Sequence, residues 1–87
     1  MPKVEIYTSP LCGFCRRAKD LLIEKGVDFI EHDVLVDSKK RSEMERRAND
    51  AKTVPQIFVD DRSIGGCDDL YGLEARGELD RLLGLAA

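Results

Sequence analysis

Val4-Glu5-Ile6-Tyr7-Thr8-Ser9-Pro10-Leu11-Cys12-Gly13-Phe14-Cys15 is the stretch on which the reading of this chain turns. Val4 to Tyr7 alternates apolar with polar or amphipathic residues and runs into Thr8-Ser9-Pro10, a turn-forming cluster, so it reads as a short strand entering a loop. From Gly13 the apolar positions change to helical spacing. Phe14, Ala18, Leu21 and Leu22 share one face, and Arg16, Arg17, Lys19, Asp20 and Glu24 decorate the rest. Lys25-Gly26 closes this helix with a cationic last turn and a glycine stop. Two cysteines two residues apart therefore sit where a strand hands over to a helix.

That position gives the pair its chemistry. The first N–H groups of a helix have no intrahelical partner and its N-terminus is the positive end of the dipole, so a thiolate at Cys12 is favoured over the thiol. Arg16, Arg17 and Lys19 add cationic potential in a secondary role. Cys15, one turn further in, can reach back and close a small disulfide ring, so Cys12 attacks and Cys15 resolves. A zinc half-site or two structural cysteines are the competing readings. Zinc would need two more ligands at matching spacing, and Cys67 with the single histidine, His32, forms no such pattern.

Working outward, a second strand is expected over about Asp28 to Asp33, with Phe29 and Ile30 as its β-formers. The chain loosens through Val34-Leu35-Val36, and Asp37-Ser38 caps a second helix over Lys39 to Asn49. Its apolar content is thin, mainly Met44, Ala48 and Ala51, so it should cover a sheet face rather than fill a core. Lys39, Lys40, Arg46 and Arg47 read as solvent-facing charges, His32 as a solvated or satisfied side chain, and Tyr71 as packing for the last helix. Thr53-Val54-Pro55 leads into the strand Gln56-Ile57-Phe58-Val59. Asp60-Asp61-Arg62 is a turn, and Ser63-Ile64-Gly65 returns as a hairpin. Gly65-Gly66 opens a further helix with Asp68 and Asp69 in its first turn and Leu70, Leu73, Leu79, Leu82 and Leu83 as its stripe, broken near Gly77. The order is strand, helix, strand, helix, strand, strand, helix, an α/β chain made of a βαβ unit joined through a helix to a ββα unit.

With 87 residues, 43% of them hydrophobic, the chain is expected to form one domain over residues 1–87. Seventeen acidic against 14 basic residues leave a net charge of -3, the wrong sign for a partner of nucleic acid. No apolar stretch approaches the roughly 20 residues a membrane span needs, and no signal-type segment precedes the first strand, so a soluble, cytoplasmic protein is expected. Three cysteines are too few for a disulfide-stapled scaffold.

Cys12-Gly13-Phe14-Cys15, Thr53-Val54-Pro55 and Gly65-Gly66-Cys67-Asp68-Asp69-Leu70, in this order and spacing, resemble a glutaredoxin, over essentially the whole chain. The resemblance implies a thioredoxin fold with a central four-stranded mixed sheet flanked by helices. It also implies glutathione as reductant, and oxidised or glutathionylated proteins as substrates of a protein expected to be monomeric. Carried over residue by residue, Cys12 is the nucleophile, Cys15 the resolving thiol, and Phe14 walls the groove. The Val54-Pro55 bond is cis, and Thr53 and Val54 pair through their backbone with the glutathione cysteine. Gly66 allows close approach, while Cys67, Asp68 and Asp69 hold the γ-glutamyl end. Packing and backbone contact are expected for Cys67 rather than a third redox role.

Two departures from the family pattern stand out. Ser9 replaces the lysine common three residues before the nucleophile, and Arg41 either supplies the missing charge or belongs to a solvated basic face. Gly13 replaces the proline of the commonest dithiol motif. Gly13-Phe14 is similar to the monothiol branch, whose members bind a [2Fe-2S] cluster between two protomers with two glutathiones; the alternative this implies is a glutathione-ligated cluster carrier, a dimer in which Cys12 would be the protein ligand. A thioredoxin-like electron donor fed by a flavin reductase is a third reading, against which the Gly65-Gly66-Cys67-Asp68-Asp69 segment argues.

Overall fold

The computed structural model describes residues 2–85; Met1, Ala86 and Ala87, which the one-domain expectation includes, lie outside them. Strand β1 (Val4–Thr8) leads through a loop to helix α1 (Gly13–Glu24), then β2 (Ile30–Asp33), α2 (Ser38–Arg47), the hairpin β3 (Gln56–Val59) and β4 (Arg62–Gly65), α3 (Cys67–Ala75) and the single turn α4 (Leu79–Leu82). The sheet order is β2-β1-β3-β4. β1 runs parallel to β2 and antiparallel to β3, with Thr8 opposite Asp33 and Ile6 opposite Ile57, and β3 and β4 pair as an antiparallel hairpin. A four-stranded mixed sheet flanked by helices is the thioredoxin fold that the sequence motifs imply.

Strand periodicity explains the layering. Alternate residues of β1 face opposite sides, and because helices cover both sides all five are buried. Val4 and Ile6 join Ile57, Val59, Leu21, Leu22, Leu70, Leu79 and Leu83 in the larger core, under α1, α3 and α4. Tyr7 points the other way and forms a second core with Phe58, Val34, Met44 and Ala48. Met44 is fully buried there. The expectation that α2 only covers a face is therefore corrected: its few apolar residues are matched by two aromatic rings from the sheet, which fill the space themselves.

Local chemistry sets the boundaries. Asp37 caps α2 by accepting from the N–H groups of Lys39 and Lys40. The helix stops at Arg47, two residues short of the expected Asn49, because Asn49 and Asp50 take left-handed conformations with φ of 53° and 66°. β2 starts at Ile30 rather than Asp28, and Phe29 packs instead against the larger core. Asp60 and Asp61 both have positive φ, the requirement of a two-residue hairpin turn. The last turn of α1 is tied down by Lys25, whose ammonium contacts Glu74 at 2.8 Å and Asp80 at 2.7 Å, joining α1 to α3 and α4.

Candidate active site

Cys12 sits at the N-cap of α1, in extended backbone conformation, with its sulfur turned onto the helix opening. The backbone N–H of Cys15 donates to Cys12 Sγ at 3.1 Å, and the Cys12 thiol donates to the carbonyl of Val54 at 3.6 Å. The first contact is the orphan helix donor that the strand-to-helix junction promised. The second joins the nucleophile's position to the loop before β3, where the Val54–Pro55 peptide bond is cis.

The three thiols are free and differ in access: Cys12 is partly exposed, Cys15 and Cys67 are buried. Burial, reinforced by the hydrogen bond with Cys12, pushes the Cys15 thiol up to about 12, so this group stays protonated at neutral pH. Burial raises Cys67 as well. The neighbouring cations expected to add potential are engaged elsewhere: Arg16 with Asp20, Lys19 with Glu31, and Arg17 stacked 5.1 Å from the centroid of Tyr71. Tyr71 holds that arrangement by donating to the carbonyl of Arg17.

A cleft of about 400 Å³ opens beside Val54. Phe14, Thr53, Val54, Pro55, Gly65, Gly66, Cys67, Asp68 and Asp69, nine residues singled out from sequence, line it together. Phe14 is 57% exposed at its mouth and Leu11, next to the nucleophile, is 91% exposed. Asp69 accepts from the N–H of Gly66 at 2.9 Å, which fixes the start of α3. Arg41 does not line this cleft; its guanidinium donates to the carbonyl of Lys52, one residue before Thr53. Ala48, Ala51, Gln56 and Ser63 also line it and were not anticipated. The two alanines give no chemical signal, and only the turn after α2 brings them there.

Behind this wall lies a charged network that the sequence reading missed. Glu5, buried on β1, receives the Arg47 guanidinium through two bonds of 3.1 and 2.8 Å. His32 lies 3.1 Å from the same carboxylate. Arg47 also donates to the hydroxyl of Tyr7 at 2.6 Å, and Tyr7 donates to Glu43. The guanidinium stacks 4.2 Å from the centroid of Phe58. Arg47 is therefore a half-buried cross-link and not the solvent-facing charge expected, whereas His32 is satisfied as read. The Arg47 bond is the main cause holding the Glu5 carboxyl down at about 2, against a usual 4.5. Burial pushes Tyr7 up to about 12.

Among the described residues no group of three or more His, Cys, Asp and Glu side chains could hold a metal ion. No helix among them is long and apolar enough to cross a membrane.

A thioredoxin-type sheet with a dithiol at the first helix opening beside a cis-proline loop defines a thiol-disulfide oxidoreductase. The comparisons with known proteins agree. The glutaredoxin family model matches residues 4–64. The chain is 55% identical over 83 residues to glutaredoxin 3 of Escherichia coli, covering 95% of this chain and 99% of the relative. It is 59% identical over 81 residues to a probable glutaredoxin of Synechocystis, covering 93% and 74%. The solution structure of a Brucella melitensis glutaredoxin superposes with a TM-score of 0.83 at 48% identity, covering 98% of this chain and 91% of that one. The chain belongs to the glutaredoxin family, and with it to the glutathione-dependent thiol-disulfide oxidoreductases.

Proposed function

We propose that Cys12 is the nucleophile and Cys15 the resolving thiol of glutathione-dependent reduction, acting on protein disulfides and on glutathione mixed disulfides. The observation that carries this division is the asymmetry of the pair. Cys12 is the accessible sulfur and accepts the Cys15 N–H, whereas Cys15 is buried and held protonated. The Cys12 thiolate attacks one sulfur of the substrate disulfide; a mixed disulfide forms and the other sulfur leaves as thiolate. Cys15 then gives up its proton and attacks Cys12 Sγ, expelling the reduced substrate. Two glutathiones reopen the Cys12–Cys15 bond, so two thiols become one glutathione disulfide.

Glutathione binding is assigned to the cleft. The backbone of Thr53 and Val54 would pair with the tripeptide's cysteine before Pro55, Phe14 would wall the site, and Gly66, Cys67, Asp68 and Asp69 would hold the γ-glutamyl end. Asp68 suits its ammonium group, since Asp69 is already bonded to Gly66. Arg41 is assigned to the solvated face, since its guanidinium is spent on Lys52. We carry the chain as one domain, monomeric and cytoplasmic, with no membrane or nucleic-acid partner. Its unpaired thiols suit a reducing compartment, and a sizing column tests the monomer. A [2Fe-2S] cluster takes four ligands; with one accessible thiol per chain, the alternative reading as a cluster carrier would need two protomers, each supplying Cys12, and two glutathiones to complete the set.

The test is turnover of a glutathionylated peptide and of a peptide disulfide, each with glutathione present and absent. Cys12→Ser is expected to lose both activities. Cys15→Ser is expected to keep deglutathionylation and lose most disulfide reduction. Undiminished turnover by Cys12→Ser would reject the nucleophile, and equal losses in Cys15→Ser would reject the division of roles.

A further inference from the structure

The large hydrophobic side chains left exposed among the described residues are not spread evenly. Ile23 and Ile30 lie toward one end of the sheet, on the last turn of α1 and the first residue of β2. Leu11, Phe14, Leu35 and Val36 gather at the opposite end, where Cys12 opens α1. β1 and β2 are parallel, with Thr8 opposite Asp33, so the loops 9–12 and 34–37 leave the sheet side by side. The N–H of Val34 donates to the carbonyl of Thr8 at 2.9 Å and joins the two loops at their roots. Leu11 is the residue before the nucleophile, so this apolar surface begins at Cys12 itself.

The second loop is held in shape while its apolar side chains face water. The Asp33 carboxylate accepts from the N–H groups of Leu35 and Val36 at 2.8 and 3.2 Å, and those two side chains are 61% and 78% exposed. Asp37 is likewise spent on the N–H groups that open α2. A single exposed leucine is ordinary, but several on adjoining loops next to a reactive atom mark a contact surface. The cleft assigned to glutathione lies on the other side of Cys12. It is built from the turn after α2, the β3–β4 hairpin and the start of α3, and of the four apolar residues only Phe14 lines it. In the sheet β1 stands between β3 and β2, so Leu35 and Val36 fall on the side away from that cleft.

We propose that Leu11, Leu35 and Val36 dock apolar residues flanking the reactive cysteine of a protein client, so that the chain selects disulfides set in apolar sequence. The proposal rests on the exchange chemistry proposed above and adds the class of client. Glutathione, held in the cleft, does not reach this surface. A polypeptide bonded to Cys12 has residues on both sides of its cysteine, and one arm crosses Leu11 toward the loop between β2 and α2. Covering these side chains removes apolar surface from water, so the gain falls on docking of the client and not on the sulfur chemistry.

The experiment measures the second-order rate at which the reduced protein is oxidised by the symmetric disulfide of a single-cysteine peptide, read by acid quench and mass spectrometry. Either sulfur attacked leaves the same peptide on Cys12, and closure by Cys15 yields two peptide thiols and one Cys12–Cys15 disulfide. Leu-Leu or Ser-Ser flanks the cysteine, on its N-terminal side in one set of peptides and on its C-terminal side in the other. The disulfide of 2-hydroxyethanethiol serves as the small substrate. Wild type is expected to favour the Leu peptide of at least one set by roughly threefold to tenfold, the size of partly burying two apolar side chains, and to keep that preference as salt rises. Leu35→Ser combined with Val36→Ser should lower the preference roughly twofold or more and leave the small disulfide's rate unchanged, and adding Leu11→Ser should abolish it. All three side chains are exposed, so these substitutions remove no core contact. Equal rates for Leu and Ser peptides in wild type overturn the proposal while the exchange chemistry stands. So does a preference that is undiminished in the double variant, that survives all three substitutions or that vanishes with salt, and so does a fall of the small disulfide's rate in the double variant as large as that of the Leu peptide. No oxidation of wild type by the small disulfide removes the exchange reading and this one with it.

Discussion

Replacing Arg47 with methionine separates charge from packing in the network behind the cleft. The methionine keeps an unbranched apolar stem over Phe58 but leaves the Glu5 carboxylate, whose side chain is 6% exposed, with only His32 for a partner. In the wild type the Glu5 carboxyl is held down from 4.5 to about 2. At about 1.4 kcal/mol per pH unit that depression is worth about 3 kcal/mol near neutral pH. The general cost of orphaning one member of a buried pair, about 3–5 kcal/mol, is of the same size. The folded-state value lies below the unfolded one, so this stabilisation is complete above about pH 4.5 and is lost as pH falls through about 2. In Arg47→Met the burial of Glu5 is no longer opposed by the guanidinium, and protonation of Glu5 relieves the orphaned charge. Denaturant unfolding of both proteins, from neutral pH down to about pH 3, should show a gap of about 3 kcal/mol that narrows steadily with acidification. Adding Glu5→Gln to Arg47→Met should recover most of the neutral-pH loss. A gap that stays constant with pH would refute the electrostatic argument and assign the cost to lost stacking on Phe58.

Met44→Ala should lower stability by about 2–5 kcal/mol in urea unfolding with an unchanged denaturant slope, because Met44 is fully buried between α2 and the two aromatic rings. Asp37→Ala removes the acceptor of two helix N–H groups and should cost about 1 kcal/mol, with Asn or Ser at that position recovering most of it. Gly65→Ala places a methyl 2.2 Å from Asp69 Oδ2 at a φ of +106°. The carboxylate must swing away from Gly66, so a thermal melt should show a loss of roughly 1–3 kcal/mol and turnover assays a raised KM for glutathionylated substrate with kcat little changed.

Much of the fold was legible because local rules and tertiary packing agree along this chain. The switch of apolar spacing at Gly13, the glycine stop at Gly26, the Asp37 cap and the Asp60-Asp61 turn each name a boundary through short-range sterics or a single hydrogen bond. The cysteine pair was legible for the same reason, since a helix opening is a local object. The cleft lining was assembled from three motifs far apart in the chain, and it was the resemblance, not spacing, that linked Val54 and Asp69 to Cys12.

What the amino-acid order determines alone is the sequence of elements and the placement of a thiol at a helix N-terminus, both consequences of backbone geometry within a few residues. Which charges are buried was decided only in three dimensions. Glu5 and Arg47 look like ordinary polar positions on a strand and a helix, yet α2 lies across β1, burying the carboxylate and half-burying the guanidinium, so their pairing 42 residues apart is a property of the packed sheet. Whether a guanidinium finds a carboxylate depends on which surfaces the fold brings within reach, and no local pattern carries that information.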